Sequence, residues 1–217
     1  NGVEHGNTCR PLRLSVIGIS FFVQLYQFIG INIVCSSFVH VSNAIYGHGG
    51  AIDWVASTGN ILYSNFTEND ANTGGAVYIG GNSEGSVISH VRFDNNTAAR
   101  SVGAISTTLF RGNYENLGNV YRNWAITDCE FTNNKGELSA GALYLPWTTG
   151  LVINNIPFDN NTEGSYGAMY WSGDSLNIHD VNFTNNKAND GDCGALFIGI
   201  GTGTAGTHSV INKVIFE

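Results

Sequence analysis

Eight segments of this chain place a β-branched apolar residue five positions before a phenylalanine. The pairs are Val16/Phe21, Ile33/Phe38, Ile61/Phe66, Ile88/Phe93, Ile126/Phe131, Ile153/Phe158, Ile178/Phe183 and Ile211/Phe216. Val and Ile suit a strand surface, and finding one in every row of the alignment is hard to obtain by chance. A second signature follows most of these segments: Gly50-Ala51, Gly75-Ala76, Gly103-Ala104, Gly141-Ala142, Gly167-Ala168 and Gly194-Ala195. Self-similarity at a period of roughly 25–28 residues predicts a solenoid, in which each repeat buries its apolar edge only against its neighbours. No stretch follows a helical period, so each repeat is read as up to three short strands paired in parallel with the repeats above and below. The usual crossover handedness makes such a coil right-handed. The expected fold is all-β: a right-handed parallel β-helix of about eight rungs, forming a single domain over residues 1–217.

Composition agrees and narrows the function. Apolar residues make up 42% of the chain and are regularly placed, which excludes the disordered acidic class despite a net charge of −8. With only 9 Lys plus Arg and no basic cluster, neutralising phosphates is out of reach, so no nucleic-acid partner is expected. Residues 14–34 form an uncharged apolar stretch behind Arg10 and Arg13, in the manner of a signal sequence or anchor. Gln24, Gln27 and Asn32 interrupt it, and both halves fit the Ile-to-Phe register. Two buried strands, and no membrane span, are expected there.

Within one rung, apolar residues at minus five, minus two and zero from Phe break strict alternation once. A bend between two short strands lets both arms point inward. Three positions after Phe stand Asn69, Asn96, Asn134, Asn161 and Asn186. Stacked at identical turns, such amides hydrogen-bond along the axis as a ladder. After each Gly-Ala, the residues Ile52, Val77, Ile105, Leu143, Met169 and Leu196 are expected to point inward. Tyr78, Tyr144, Tyr170 and Phe197 then fall on the opposite face, expected beside an outward Ala column as an apolar ladder of the kind that marks contact surfaces. Two insertions near 105–123 and 199–208 depart from the period, and long loops on a regular scaffold are where binding concentrates.

The paired motifs resemble a known family. Phe66-Thr-Glu-Asn69, Phe93-Asp-Asn-Asn96, Phe131-Thr-Asn-Asn134, Phe158-Asp-Asn-Asn161 and Phe183-Thr-Asn-Asn186 are similar to the FxxN motif. Gly49-Gly50-Ala51-Ile52 and Gly74-Gly75-Ala76-Val77 are similar to GGA(I/L/V). Together they resemble repeats of the polymorphic outer-membrane and adhesin-like parallel β-helix proteins, over roughly residues 31–216. The resemblance implies an extracellular or cell-surface β-helix, often adhesive. Phe21 and Phe38 lack the following Asn, and later repeats replace the first Gly by Val102, Ala140, Tyr166 and Cys193.

Chemistry-bearing residues are few. Four glycosylation sequons begin at Asn65, Asn95, Asn160 and Asn182. Asn65 and Asn182 immediately precede an inward Phe and so point outward, while Asn95 and Asn160 sit in the turn. Of the four cysteines, those in the same or adjacent rungs can be bridged, since rungs are ~4.8 Å apart and a disulfide spans about 4.4–6.8 Å between Cα atoms. Cys9 and Cys35 meet that condition; Cys129 and Cys193, two rungs apart, do not. No metal or other cofactor is expected, because no Cys or His pair has ligand spacing and the Asn189-Asp190-Gly191-Asp192 run lacks an ordered set of oxygen ligands.

Some parallel β-helices cleave polysaccharides, which requires paired carboxylates on one exposed face. The outward column His90, Asp128, Asn155, Asp180, Lys213 is the best candidate. Its two acids fall two rungs apart, with no base between them and no third acid beside them, so a solvated polar face is the favoured reading and no catalytic residue is assigned. The expected function is a non-enzymatic structural or adhesive β-helix, with a carbohydrate-active enzyme or sugar-binding module as the alternative. The partners expected are copies or further β-helical segments stacked head to tail, and glycans or cell-surface molecules. An uncapped final rung ending at Phe216 would present unpaired backbone to such a neighbour.

Overall fold

The computed structural model describes residues 12–15, 23–26, 31–55, 58–80, 84–108, 121–191, 193–200 and 209–217. These are strands joined by turns and bends, with no helix among the described residues. All assigned pairings are parallel, and their registers are the columns of the sequence. Ile33, Ile61, Ile88, Ile126, Ile153, Ile178 and Ile211 pair in succession. So do Phe38, Phe66, Phe93, Phe131, Phe158, Phe183 and Phe216. The third column runs Ile52, Val77, Ile105, Leu143, Met169, Leu196. The molecule is a parallel β-solenoid of about five turns.

That turn count is smaller than eight because the outermost levels are partial. Val210–Phe216 supplies only the Ile and Phe columns. At the other end, the pairing of Leu12–Ser15 with Ser36–Val39 sets Leu14, not Phe21, against Phe38. Val23 in turn lies against Ile52 in the Gly-Ala column. The register expected for Val16 and Phe21 is therefore displaced, and those two residues lie outside the described residues. The apolar stretch 14–34 contains strands Val23–Tyr26 and Ile31–Val34, and no described helix is long and apolar enough to cross a membrane.

Two corners per rung shape the coil. The residue three before each Phe (Cys35, Tyr63, His90, Asp128, Asn155, Asp180, Lys213) has φ between 50° and 56°. The residue two after each Phe (His40, Glu68, Asn95, Asn133, Asn160, Asn185) has φ between 52° and 56°. This left-handed region is where Asn and Asp are enriched among non-glycine residues, and Asn95, Asn133, Asn155, Asn160 and Asn185 occupy these corners. The first corner is the physical form of the broken alternation: one αL residue turns the strand so that residues on either side both reach the core.

Inside, the columns become ladders. The Phe rings stack face to face with centroids 4.8–5.3 Å apart from Phe38 to Phe216. The inner ladder amides, Asn96, Asn134 and Asn161, are saturated. Asn134 Nδ2 donates to Phe93 O and to Asn161 Oδ1, at 3.0 Å each, while its Oδ1 accepts from Asn96 N and Asn96 Nδ2. Both donors and both lone pairs are thus used. The turn glycines are demanded by rung spacing. A Cβ on Gly103 would lie 2.3 Å from Gly141 O, in backbone that cannot yield.

The Ala column does not face outward. Ala51, Ala76, Ala104, Ala142 and Ala168 are fully buried in the core, because the chain is bending at Gly-Ala and the pairing geometry turns both Ala and the following residue inward. The insertions also shift: Ile105–Thr108 is a regular strand paired with Val77–Gly80, and Leu196–Ile200 is likewise a regular strand, so the departures from the period narrow to residues 109–120 and 201–208, outside the described residues.

Candidate functional site

At the first corner the inward residue is flanked on both sides by outward ones. The αL residue and the residue just before Phe therefore form two adjacent outward columns. Four successive rungs contribute to a shallow groove of about 500 Å³ between them: Asn65; His90 and Arg92; Asp128 and Glu130; Asn155 and Pro157. Its floor is Val91 and Cys129, both nearly fully buried. Burial pushes the Cys129 thiol up to about 12, and Sγ donates to Thr127 O at 3.2 Å, so it serves as apolar floor rather than as a nucleophile.

The walls are polar and partly committed. Asn155 Nδ2 donates to Asp128 Oδ1 at 2.8 Å. Arg92 pairs with Asp94 at 3.1 Å and, more loosely, with Glu130 at 3.6 Å. His90 Nδ1 lies 2.9 Å from Ser89 Oγ, and its ring rests 4.7 Å from that of Tyr63 in the rung before. Further along, Asp180 sits outside the groove, bound by Lys213 at 3.3 Å and by His179 at 2.5 Å. The sequence column is thus divided: His90, Asp128 and Asn155 share the groove, while Asp180 and Lys213 pair with each other beyond it. The acid facing the groove beside Asp128 is Glu130. Sequence reasoning missed it, together with Arg92, by treating only one outward column, and it began that column at His90, one rung after Tyr63. The available signal was the inward residue at minus two, which forces minus three and minus one to the same side.

All four sequon asparagines are exposed. Asn65 lies on the rim of the groove. Asn160 is engaged, its Nδ2 donating to Asn133 Oδ1 at 2.7 Å. Cys35 is disulfide-bonded, whereas Cys129 and Cys193 carry free thiols; Cys9, the partner that rung spacing allows, lies outside the described residues. In the run 189–192, Asn189 N and Asp190 N donate to Glu163 O and Gly164 O, and Asp192 lies outside the described residues. Among the described residues no three His, Cys, Asp or Glu side chains converge as metal ligands.

The aromatic ladder on the Gly-Ala strands is only half exposed. Tyr144, Tyr170 and Phe197 stack at 4.7 and 5.0 Å and are half-buried, with Tyr166 folded against the last two. Burial pushes Tyr144 up to about 12. Tyr78 is buried, with His48 at 4.2 Å, and Ser106 separates it from the other three rings. The expected continuous exposed ladder is therefore a shorter three-ring patch. No protein-family model matches the chain, and no curated protein is significantly similar to it.

Proposed function

We propose that the chain is a non-enzymatic extracellular β-helix, structural or adhesive, acting as a segment of a surface protein or as the subunit of a surface filament. The observation that carries this reading is the disulfide at Cys35 in a rod otherwise held together by stacked ladders, since disulfides form and persist in oxidising compartments. Four exposed sequons fit the same route, and the FxxN and GGA(I/L/V) resemblance points the same way. The partner is another β-helical segment or copy stacked along the axis in the parallel manner in which the rungs stack on one another. Contacts of that kind do not close, so copies stacking this way form filaments.

The test is protease shaving and surface biotinylation of intact cells that make the full-length protein. Labelling at the surface, with linear particles by negative-stain microscopy, is the expected outcome; a protein protected inside intact cells would sink the reading. The rival enzymatic reading draws on Asp128 and Glu130 facing one groove, since glycoside cleavage needs two carboxyl groups. Reducing-end assays are expected to detect no cleavage of neutral or acidic polysaccharides. Turnover abolished by both Asp128→Asn and Glu130→Gln would promote the rival.

A further inference from the structure

We infer that one flank of the rod is a glycosylation edge: Asn65, Asn95, Asn160 and Asn182 carry asparagine-linked glycans that shield the outer side of the Phe strand. This rests on the extracellular reading above and adds where the chain is modified and which flank the modification closes. The first observation is placement. Asn65 and Asn182 stand just before Phe66 and Phe183, whereas Asn95 and Asn160 occupy the corner two residues after Phe93 and Phe158. All four are exposed. Other outward columns also hold exposed asparagines, Asn32, Asn155, Asn177 and Asn212. Two places on from these stand Val34, Pro157, His179 and Val214, so none of them is an acceptor. The sequons are confined to one flank.

The second observation is spacing. In successive rungs the corner column reads Asn95, Asn133, Asn160, Asn185, and two residues on it reads Thr97, Lys135, Thr162, Lys187. Those Thr and Lys residues pair rung to rung. Corner acceptors therefore recur in every second rung, ~10 Å apart at a rise of ~4.8 Å per rung, and a bulky glycan is never crowded into a single rung. In the rungs next to Asn95 and Asn160, the remaining acceptors Asn65 and Asn182 sit at the opposite end of the Phe strand.

The third observation is that the amides are free to react. The side chains of Asn65, Asn95 and Asn182 make no hydrogen bond among the described residues. Asn160 Nδ2 gives one hydrogen to Asn133 Oδ1 and keeps the other. In the transfer, Nδ2 displaces diphosphate from the anomeric carbon of a polyprenyl-diphosphate-linked oligosaccharide. The C1–O bond breaks as the C1–Nδ2 bond forms, one amide proton passes to a base of the transferase, and polyprenyl diphosphate leaves. Each amide retains one N–H, so the bond from Asn160 to Asn133 survives.

The test takes the full-length protein from the surface of the cells that make it. Intact-glycopeptide mass spectrometry is expected to find glycans at three or more of the four asparagines, and two or fewer overturns the inference. Shielding is read separately with a polymer-linked maleimide, in a Cys193→Ser background. Thr132→Cys lies between the acceptor columns, and Val152→Cys lies on the neighbouring sheet face. Labelling of the Thr132→Cys variant should quicken about tenfold when a glycosidase trims each glycan to its first sugar, while that of Val152→Cys stays unchanged. Should either variant fail to fold, Asp159→Cys and Asn177→Cys replace them. Unchanged labelling on the edge, or equal quickening on both faces, overturns the shielding. A surface protein with bare sites sinks this inference alone, whereas a protein found inside the cell sinks the functional reading.

Discussion

The middle rungs and the last rung are built from the same residues and end in opposite environments. Ile153 and Phe158 are fully buried; Ile211 and Phe216, at the same positions, are 51% and 57% exposed. A Cβ on Gly141 would lie 2.7 Å from Gly167 O, while on Gly194 the nearest atom is Asn186 O at 3.4 Å. The difference teaches that a ladder residue is buried chiefly by the next rung rather than by its own. Stability is then a sum of nearest-neighbour interfaces, and the same substitution should cost very different amounts in the two places.

The largest contrast is expected from a charge. Ile153→Asp buries an unpaired carboxylate between two rungs and should cost more than about 4 kcal/mol, whereas Ile211→Asp should cost under about 1 kcal/mol because water still reaches it. Urea melts of the two variants measure this directly, and equal losses would break the nearest-neighbour picture. Next comes the amide ladder. Asn134→Leu takes the partner from Phe93 O, Asn96 N and Asn96 Nδ2 and one of two donors from Asn161 Oδ1, and each buried polar group stranded this way costs about 1–3 kcal/mol. Asn186→Leu strands fewer, since no further amide follows it. A smaller effect is expected of glycine: Gly103→Ala must push backbone aside and lose at least about 1–3 kcal/mol, while Gly194→Ala should be neutral. Tolerance of Ala at Gly103 would show that the rungs can part there.

The smallest effect is on pH dependence. Glu163 is buried, its Oε2 accepting from Ser165 N and, at 2.6 Å, from Tyr166 N. Burial raises its carboxyl above the usual range. A raised folded value means the fold favours the protonated form, so this group's contribution is fully present below the unfolded value of about 4.3 and is lost as pH rises through the folded one. Glu163→Gln should remove that loss, leaving a flatter stability profile between acid and neutral pH. An unchanged profile would mean that the carboxyl titrates normally.

How much of this was legible in the sequence depended on punctuation. Where Phe is followed by Asn and then by Gly-Ala, as from Phe66 to Asn186, register is fixed residue by residue, because only one alignment places every amide opposite another. Between 14 and 34 that punctuation is missing, so an apolar chain offers several registers, and Leu14 rather than Phe21 takes the place against Phe38. The corner showed itself only as a break in alternation, and the fact that it adopts αL, bringing two outward columns together, was not read from it. For that reason Asp128 was found and Glu130 was not. The Ala column failed differently: two-residue alternation was carried through Gly-Ala, where the chain is bending rather than extended.

The amide ladder carries one more consequence. From Asn69 to Asn186 each Nδ2 donates toward the Oδ1 of the following rung, at 2.9–3.0 Å, and the sense never reverses. The side-chain dipoles therefore point the same way along the axis, and hydrogen bonds in such a chain polarise one another. The rod is electrically polar, with a head that differs from its tail before any surface charge is counted. Two such ladders placed end to end would match donor to acceptor only when they run in the same direction. Any assembly that continues the ladder would inherit a built-in arrow.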